Sequence, residues 1–151
     1  MLSICISKEK GEPKRPVFAA RVETNHGLVG DAHAGRGLRQ VSLLANESAE
    51  RIRARGIGVT AGDFGENILT EGIDPRDIRV GDALRIGPVW LTVTQIGKTC
   101  HDRCAIFDAV GTCVMPTDGV FCTVREGGAI APGDIVVLEP SDNSPSSKTE
   151  R

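Results

Sequence analysis

The chain has 151 residues, enough for one domain with a proper core, and a formal net charge of −2 that gives nucleic acid or an anionic membrane no electrostatic reason to bind. Aromatic residues make up only 3% and tyrosine is absent, which argues against a base-stacking reader of single strands. No apolar run approaches the roughly 18 residues of a membrane span, the start Met1–Cys5 lacks a signal-peptide pattern, and five cysteines is an odd count for a disulfide framework. The expectation is a cytoplasmic protein with free thiols.

In chain order, short strand signals dominate. Leu2–Ile6 alternates, a Pro-flanked basic stretch follows, and Val17–Val22 is a partly alternating run. Residues 26–40 form a segment rich in Gly, His, Asp and Arg, with Gly30, Gly35 and Gly37 leaving backbone exposed. Its N–H groups can cradle an anion and Arg36 and Arg39 can add charge-assisted bonds, or the segment is a solvated surface loop. Val41–Leu44 reads as a buried strand. Glu47–Arg55 reads as a helix, with Asn46 as its N-cap, Gly56 as its stop and Glu47 four residues ahead of Arg51. In Asp63–Asn67, Glu66 and Asn67 suit either a polar ring edge or a turn. Further strands are expected at Ile68–Thr70, Ala83–Ile86, Val89–Ile96, Val120–Val124 and Ile135–Leu138, with Gly81-Asp82 and Gly133-Asp134 as similar turns before two of them. A second short helix is expected over Cys104–Val110. Many short strands with Gly-rich turns and few helices indicate a β-barrel or sandwich. The polar stretch 140–151 reads as a disordered tail after a domain spanning 1–139.

Chemistry concentrates at Gly97–Cys104. Cys100 stands between Lys98, the single lysine from residue 15 to 147, and His101. Neighbouring cations lower a thiol pKa and favour the thiolate, the form that attacks sulfur or binds metal. Cys5 and Cys122 fall in strand patterns and read as buried small hydrophobes. Cys104 and Cys113 are packing groups or a resolving thiol. The C-x3-C spacing is poor for structural zinc. No phosphate-loop or serine-nucleophile motif is present, and a chain of this size lacks the bulk of the usual pyridoxal-phosphate folds, so Lys98 is not expected to carry that cofactor.

Taken together, Gly27–Gly35, Arg39–Leu43, Gly65–Asn67, Gly97–His101, Cys104, Gly111–Pro116, Gly119–Phe121, Gly127-Gly128 and Pro132–Asp134 make the chain similar to the MOSC domain, named for the C-terminal part of molybdenum-cofactor sulfurases, and to its small stand-alone bacterial type. The resemblance implies a mainly β fold, a closed mixed-strand β-barrel with one or two short helices. It implies binding of the molybdenum cofactor (molybdopterin), a pterin dithiolene bearing a phosphate, and a persulfide on Cys100, with molybdenum ligation by Cys100 the alternative. Lys98 and His101 would hold the sulfur as an anion. Arg39 with Gly30, and Arg36 or Arg125 as helpers, would meet the phosphate, while Asp31, His33, Glu66 and Asn67 are candidates for the pterin. With no pyridoxal-phosphate domain in the chain, a separate cysteine desulfurase would supply sulfur, and a molybdenum enzyme or a cofactor-synthesis protein would receive it. The competing readings are a cofactor-binding or chaperone module without sulfur transfer, and a component of a molybdenum-dependent reductase for N-hydroxylated compounds.

Overall fold

The computed structural model describes residues 1–97 and 114–141. The strands in chain order are β1 (Ser3–Ile6), β2 (Arg15–Val17), β3 (Ala20–Glu23), β4 (Gly27–Leu28), β5 (Val41–Ala45), β6 (Ile68–Thr70), β7 (Ala83–Ile86), β8 (Val89–Ile96), β9 (Val120–Glu126), β10 (Gly128–Ile130) and β11 (Val136–Glu139). The helices are α1 (Asn46–Arg53) and α2 (Met115–Asp118), with a 3-10 turn at Pro75–Asp77. None of these helices is long and apolar enough to cross a membrane.

Eight strands pair in the order β11-β7-β8-β9-β5-β6-β1-β2, and three more in the order β10-β3-β4. All pairs are antiparallel except β5 with β6, where Leu43 lies opposite Ile68. Among the described strands the pairing does not close, which corrects the expected closed barrel: β2 and β11 are free edges of the large sheet and the small sheet is separate. Pro16 within β2 has no N–H to donate to a further strand, and Pro140 follows β11 directly. The expected strand Val17–Val22 is correspondingly split. The chain bends at Phe18-Ala19, so that β2 stays with β1 and β3 joins the small sheet.

Side-chain alternation explains which strands are central. On β8, Val89, Leu91 and Val93 are buried in a core to which the small sheet contributes Val22, Leu28 and Ile130. On β5, β6 and β9 both faces are covered. Leu43, Ile68, Val120 and Cys122 belong to that core, while Leu44, Leu69 and Phe121 belong to a second one with Ala49 and Ile52 of α1, Phe64 and Met115. A strand buried on both faces reads as a continuous apolar run, as Val41–Ala45 nearly does. Cys5 and Cys122 are fully buried free thiols, as their strand positions predict. Burial raises both pKa values, that of Cys5 to about 12.

Helix α1 begins one residue earlier than expected. Asn46 is its first residue and not its cap, because its Oδ1 accepts from the Arg53 guanidinium at 3.1 Å. The expected Glu47–Arg51 pair is absent: Glu47 accepts from the Gly72 amide at 2.9 Å and Arg51 pairs with Asp118. The two Gly-Asp turns do share one design. In each, the aspartate amide donates to the carbonyl three residues back and its carboxylate accepts from that residue's amide at 2.9 Å, Arg79 in one and Ala131 in the other. The expected helix over Cys104–Val110 and the polar tail beyond Ser141 lie outside the described residues.

Candidate functional site

Strand β8 delivers the chain to the cysteine segment. Its last residues are held tightly: the Gly97 amide donates to Gly119 O at 2.7 Å, and Gln95 Nε2 donates to Gly97 O at 2.8 Å. On the far side of the segment, Val114 and Met115 are buried in the second core. Lys98, Cys100 and His101, with Cys104 and Cys113, lie outside the described residues. Among the described residues no three His, Cys, Asp or Glu side chains gather as a metal site would require.

The Gly-rich loop connects this end of β8 to a second cluster. At its C-terminal end, the Arg39 guanidinium sits 5.9 Å from the centre of the Phe121 ring, and Phe121 lies opposite Gln95 in the β8–β9 ladder. Leu38 O is anchored by Thr94 Oγ1. The next residue, Gln40, is 1% exposed and fastens the loop to β9: its amide donates to Cys122 O, its Oε1 accepts from the Val124 amide, and its Nε2 donates to Asn25 Oδ1. Gly27 makes the crossing possible. Its φ is +129°, and a Cβ there would lie 2.6 Å from Gln40 O. Arg36 and Arg39 are exposed, so their charge faces solvent at this end.

At the N-terminal end of the loop, Asp31 is buried against Lys14. Lys14 Nζ lies 2.7 Å from Asp31 Oδ1, and neither side chain is exposed. The Ser7 amide donates to Asp31 Oδ1 and the His33 amide to Oδ2, each at 3.1 Å. Burial works against the charge on Asp31, but Lys14 and the Ser7 amide outweigh it and hold the carboxyl below its ordinary range. Lys14 and Gly30 line a cleft of about 880 Å³, with Ile6, Lys8, Thr60 and Asp63 among the other walls.

Glu66 and Asn67 are interior groups. Asn67 is fully buried and ties three strands together: Oδ1 accepts from the Ser42 amide at 2.9 Å, and Nδ2 donates to Cys5 O at 3.0 Å. Glu66 is 1% exposed. Its Oε2 accepts from the Gly62 amide at 2.7 Å, while Oε1 has no hydrogen-bond partner among the described residues. Burial is the main cause that raises its pKa to about 7. Gly62 is packed so closely that a Cβ would lie 2.0 Å from Lys14 O. Arg125 stands apart from the others, stacked 4.7 Å from the Trp90 ring, four residues along β9 from Phe121 or about 13 Å.

The structure thus brings Arg39 to the end of β8 and places Asp31 and His33 on Lys14. Ser7, Lys14 and Gln40 were missed by sequence reasoning. Lys14 stands within the basic Pro-flanked stretch and carries no local signal of burial. Gln40, beside Arg39 and before an apolar strand, could have been suspected as a buried polar anchor.

Solved structures share this fold. The YuaD protein from Bacillus subtilis superposes with a TM-score of 0.74 at 16% identity, over 93% of this chain and 94% of that one. YiiM from Geobacillus stearothermophilus gives 0.69 at 23% identity, over 91% and 73%. YiiM from Escherichia coli gives 0.68 at 18% identity, over 94% and 70%. No curated protein sequence matches the chain. The MOSC domain model matches residues 30–137, which takes in the Gly-rich loop, the β5–β6 pair and the cysteine segment after β8, and so the chain belongs to the MOSC domain family.

Proposed function

We propose that the protein binds molybdenum cofactor and carries sulfur as a persulfide on Cys100. The observation that carries this reading is the family match across residues 30–137, which spans both the Arg39 loop and the cysteine segment. The described donors suit a phosphorylated pterin at the end of β8. Arg39 is exposed there above Phe121, and Arg36 is on the same loop, each able to form a forked pair with phosphate oxygens. Asp31, Glu66 and Asn67 hold the frame behind that loop, since their hydrogen bonds go to Lys14 and to backbone groups. The dithiolene of the bound cofactor supplies the sulfur coordination of molybdenum.

In loading, the Cys100 thiolate attacks the outer sulfur of a cysteine desulfurase persulfide. An S–S bond forms on Cys100, the donor's S–S bond breaks, and the donor cysteine leaves as a thiolate. Lys98, two residues before Cys100, and His101, the next residue, favour the anionic sulfur before and after the step. The acceptor is a molybdenum enzyme or a cofactor-synthesis protein.

Peptide mass spectrometry after incubation with cysteine and a cysteine desulfurase tests the proposal. One added sulfur on the Cys100 peptide, removed by reductant and absent in Cys100→Ser, is expected. Accessible thiols that acquire no sulfur would overturn sulfur carriage and leave a cofactor-binding module, to be measured by pterin affinity.

A further inference from the structure

Strand β5 stops earlier than its ladder requires. Its register on β9 pairs Val41 with Cys122, Ser42 with Phe121 and Leu43 with Val120, so continuing it sets Gln40 against Thr123 and Arg39 against Val124. The Gln40 amide donates to Cys122 O at 3.0 Å, so Cys122 turns its backbone groups toward β5. Backbone direction alternates along a strand, and Val124, two residues on, therefore turns its N–H and C=O the same way. An unbroken ladder would give both to Arg39. Instead the Val124 amide donates to Gln40 Oε1 at 2.9 Å, and Val124 O accepts from the Asn25 amide at 2.8 Å. Gln40 Nε2 joins the two substitutes by donating to Asn25 Oδ1 at 2.9 Å.

We infer that Gln40 is a positioning residue for the phosphate end of the cofactor: its side chain takes the ladder place of the Arg39 carbonyl, ends β5, and so frees Arg39 to turn back toward Phe121. Distance makes the exchange matter. Val124 and Phe121 are three residues apart on β9, about 10 Å at the rise of an extended strand. Held opposite Val124, Arg39 would start beside Arg125. Released, its guanidinium lies 5.9 Å from the centre of the Phe121 ring, at the end of β8. The surroundings enforce the arrangement. Gln40 is 1% exposed, so its amide must find partners within the protein. Thr94 Oγ1 donates to Leu38 O and fixes the chain on the other side of Arg39. That Arg39 meets a phosphate rests on the function proposed above; the strand ending does not.

Calorimetry on the full chain, with a phosphorylated pterin and its dephosphorylated form as probes, tests the inference. The ratio of the two affinities is unmoved by a change in the fraction folded. The wild type should prefer the phosphorylated form by about tenfold or more. Gln40→Leu keeps the bulk and removes both side-chain bonds, and should bring the ratio close to one, as Arg39→Ala does. Gln40→Asn, one methylene shorter, carries the same expectation if Gln40→Leu does not fold. Gln40→Glu should retain the preference, because its acid form accepts from the Val124 amide and donates to Asn25 Oδ1. Arg39→Ala/Gln40→Leu should lose no more than either single variant, as two residues acting as one unit do.

A Gln40→Leu or Gln40→Asn protein that keeps the wild-type ratio, a Gln40→Glu protein that loses it, or a double variant whose losses multiply would overturn the positioning role alone. Equal affinity of the wild type for both pterins would overturn it together with the phosphate role of Arg39. Sulfur carriage on Cys100 is decided by its own mass measurement.

Discussion

Glu66→Gln should make the protein more stable, and increasingly so as pH rises. Glu66 is buried with one oxygen satisfied by the Gly62 amide and the other without a hydrogen-bond partner among the described residues. Burial, with a smaller push from Asp63, raises its pKa from 4.5 to about 7 against the pull of backbone amides. In the unfolded chain the group ionises near 4.5, so between these values the native state holds more proton than the unfolded state. Stability attributable to this group is therefore full below pH 4.5, falls as pH rises, and is lost above 7. At about 1.4 kcal/mol per pKa unit the loss is about 3 kcal/mol. Glutamine keeps an oxygen for the Gly62 amide and takes no charge. The variant should match the wild type within about 1 kcal/mol at pH 5 and exceed it by roughly 2–3 kcal/mol at pH 8. Urea unfolding at pH 5, 6, 7 and 8, followed by the fluorescence of the single tryptophan, Trp90, measures this directly. Wild-type stability flat across that range, or an equal slope in both proteins, would refute the reasoning.

Lys14→Met strands the buried Asp31 carboxylate and should cost about 3–5 kcal/mol in the same urea assay at pH 7. Asp31 itself has a lowered pKa, so its contribution is present above the unfolded value of 3.8 and lost as pH falls through the lower folded value; acid titration of Asp31→Asn should lack that component. Gly27→Ala forces a Cβ onto Gln40 O at a φ of +129° and should lower stability by about 2–3 kcal/mol, read as a drop in the urea midpoint. For the cofactor, Arg39→Ala should weaken phosphate-dependent pterin binding by about tenfold or more, measured by calorimetry, whereas Arg125→Ala should alter Trp90 fluorescence and leave affinity unchanged.

The strands Ile68–Thr70, Ala83–Ile86 and Val89–Ile96 match their sequence reading because alternation and flanking turns are local signals. β4 and β10 were not anticipated. Each is only two or three residues long, and each is ordered by pairing with β3, not by its own pattern. The edges that keep the large sheet open were equally hidden, since closure depends on which distant strands meet. At the site, the sequence reading proposes Arg39, His33 and the cysteine segment as candidates by residue type and order. It could not show that Asp31 is spent on Lys14, or that Asn67 stitches β1, β5 and β6, because those partners are 17, 25 and 62 residues away. The chain's local chemistry selected which side chains can bind and react. Tertiary packing then decided which of them remain for a ligand, because a buried polar group must first satisfy the hydrogen bonds that burial takes from water.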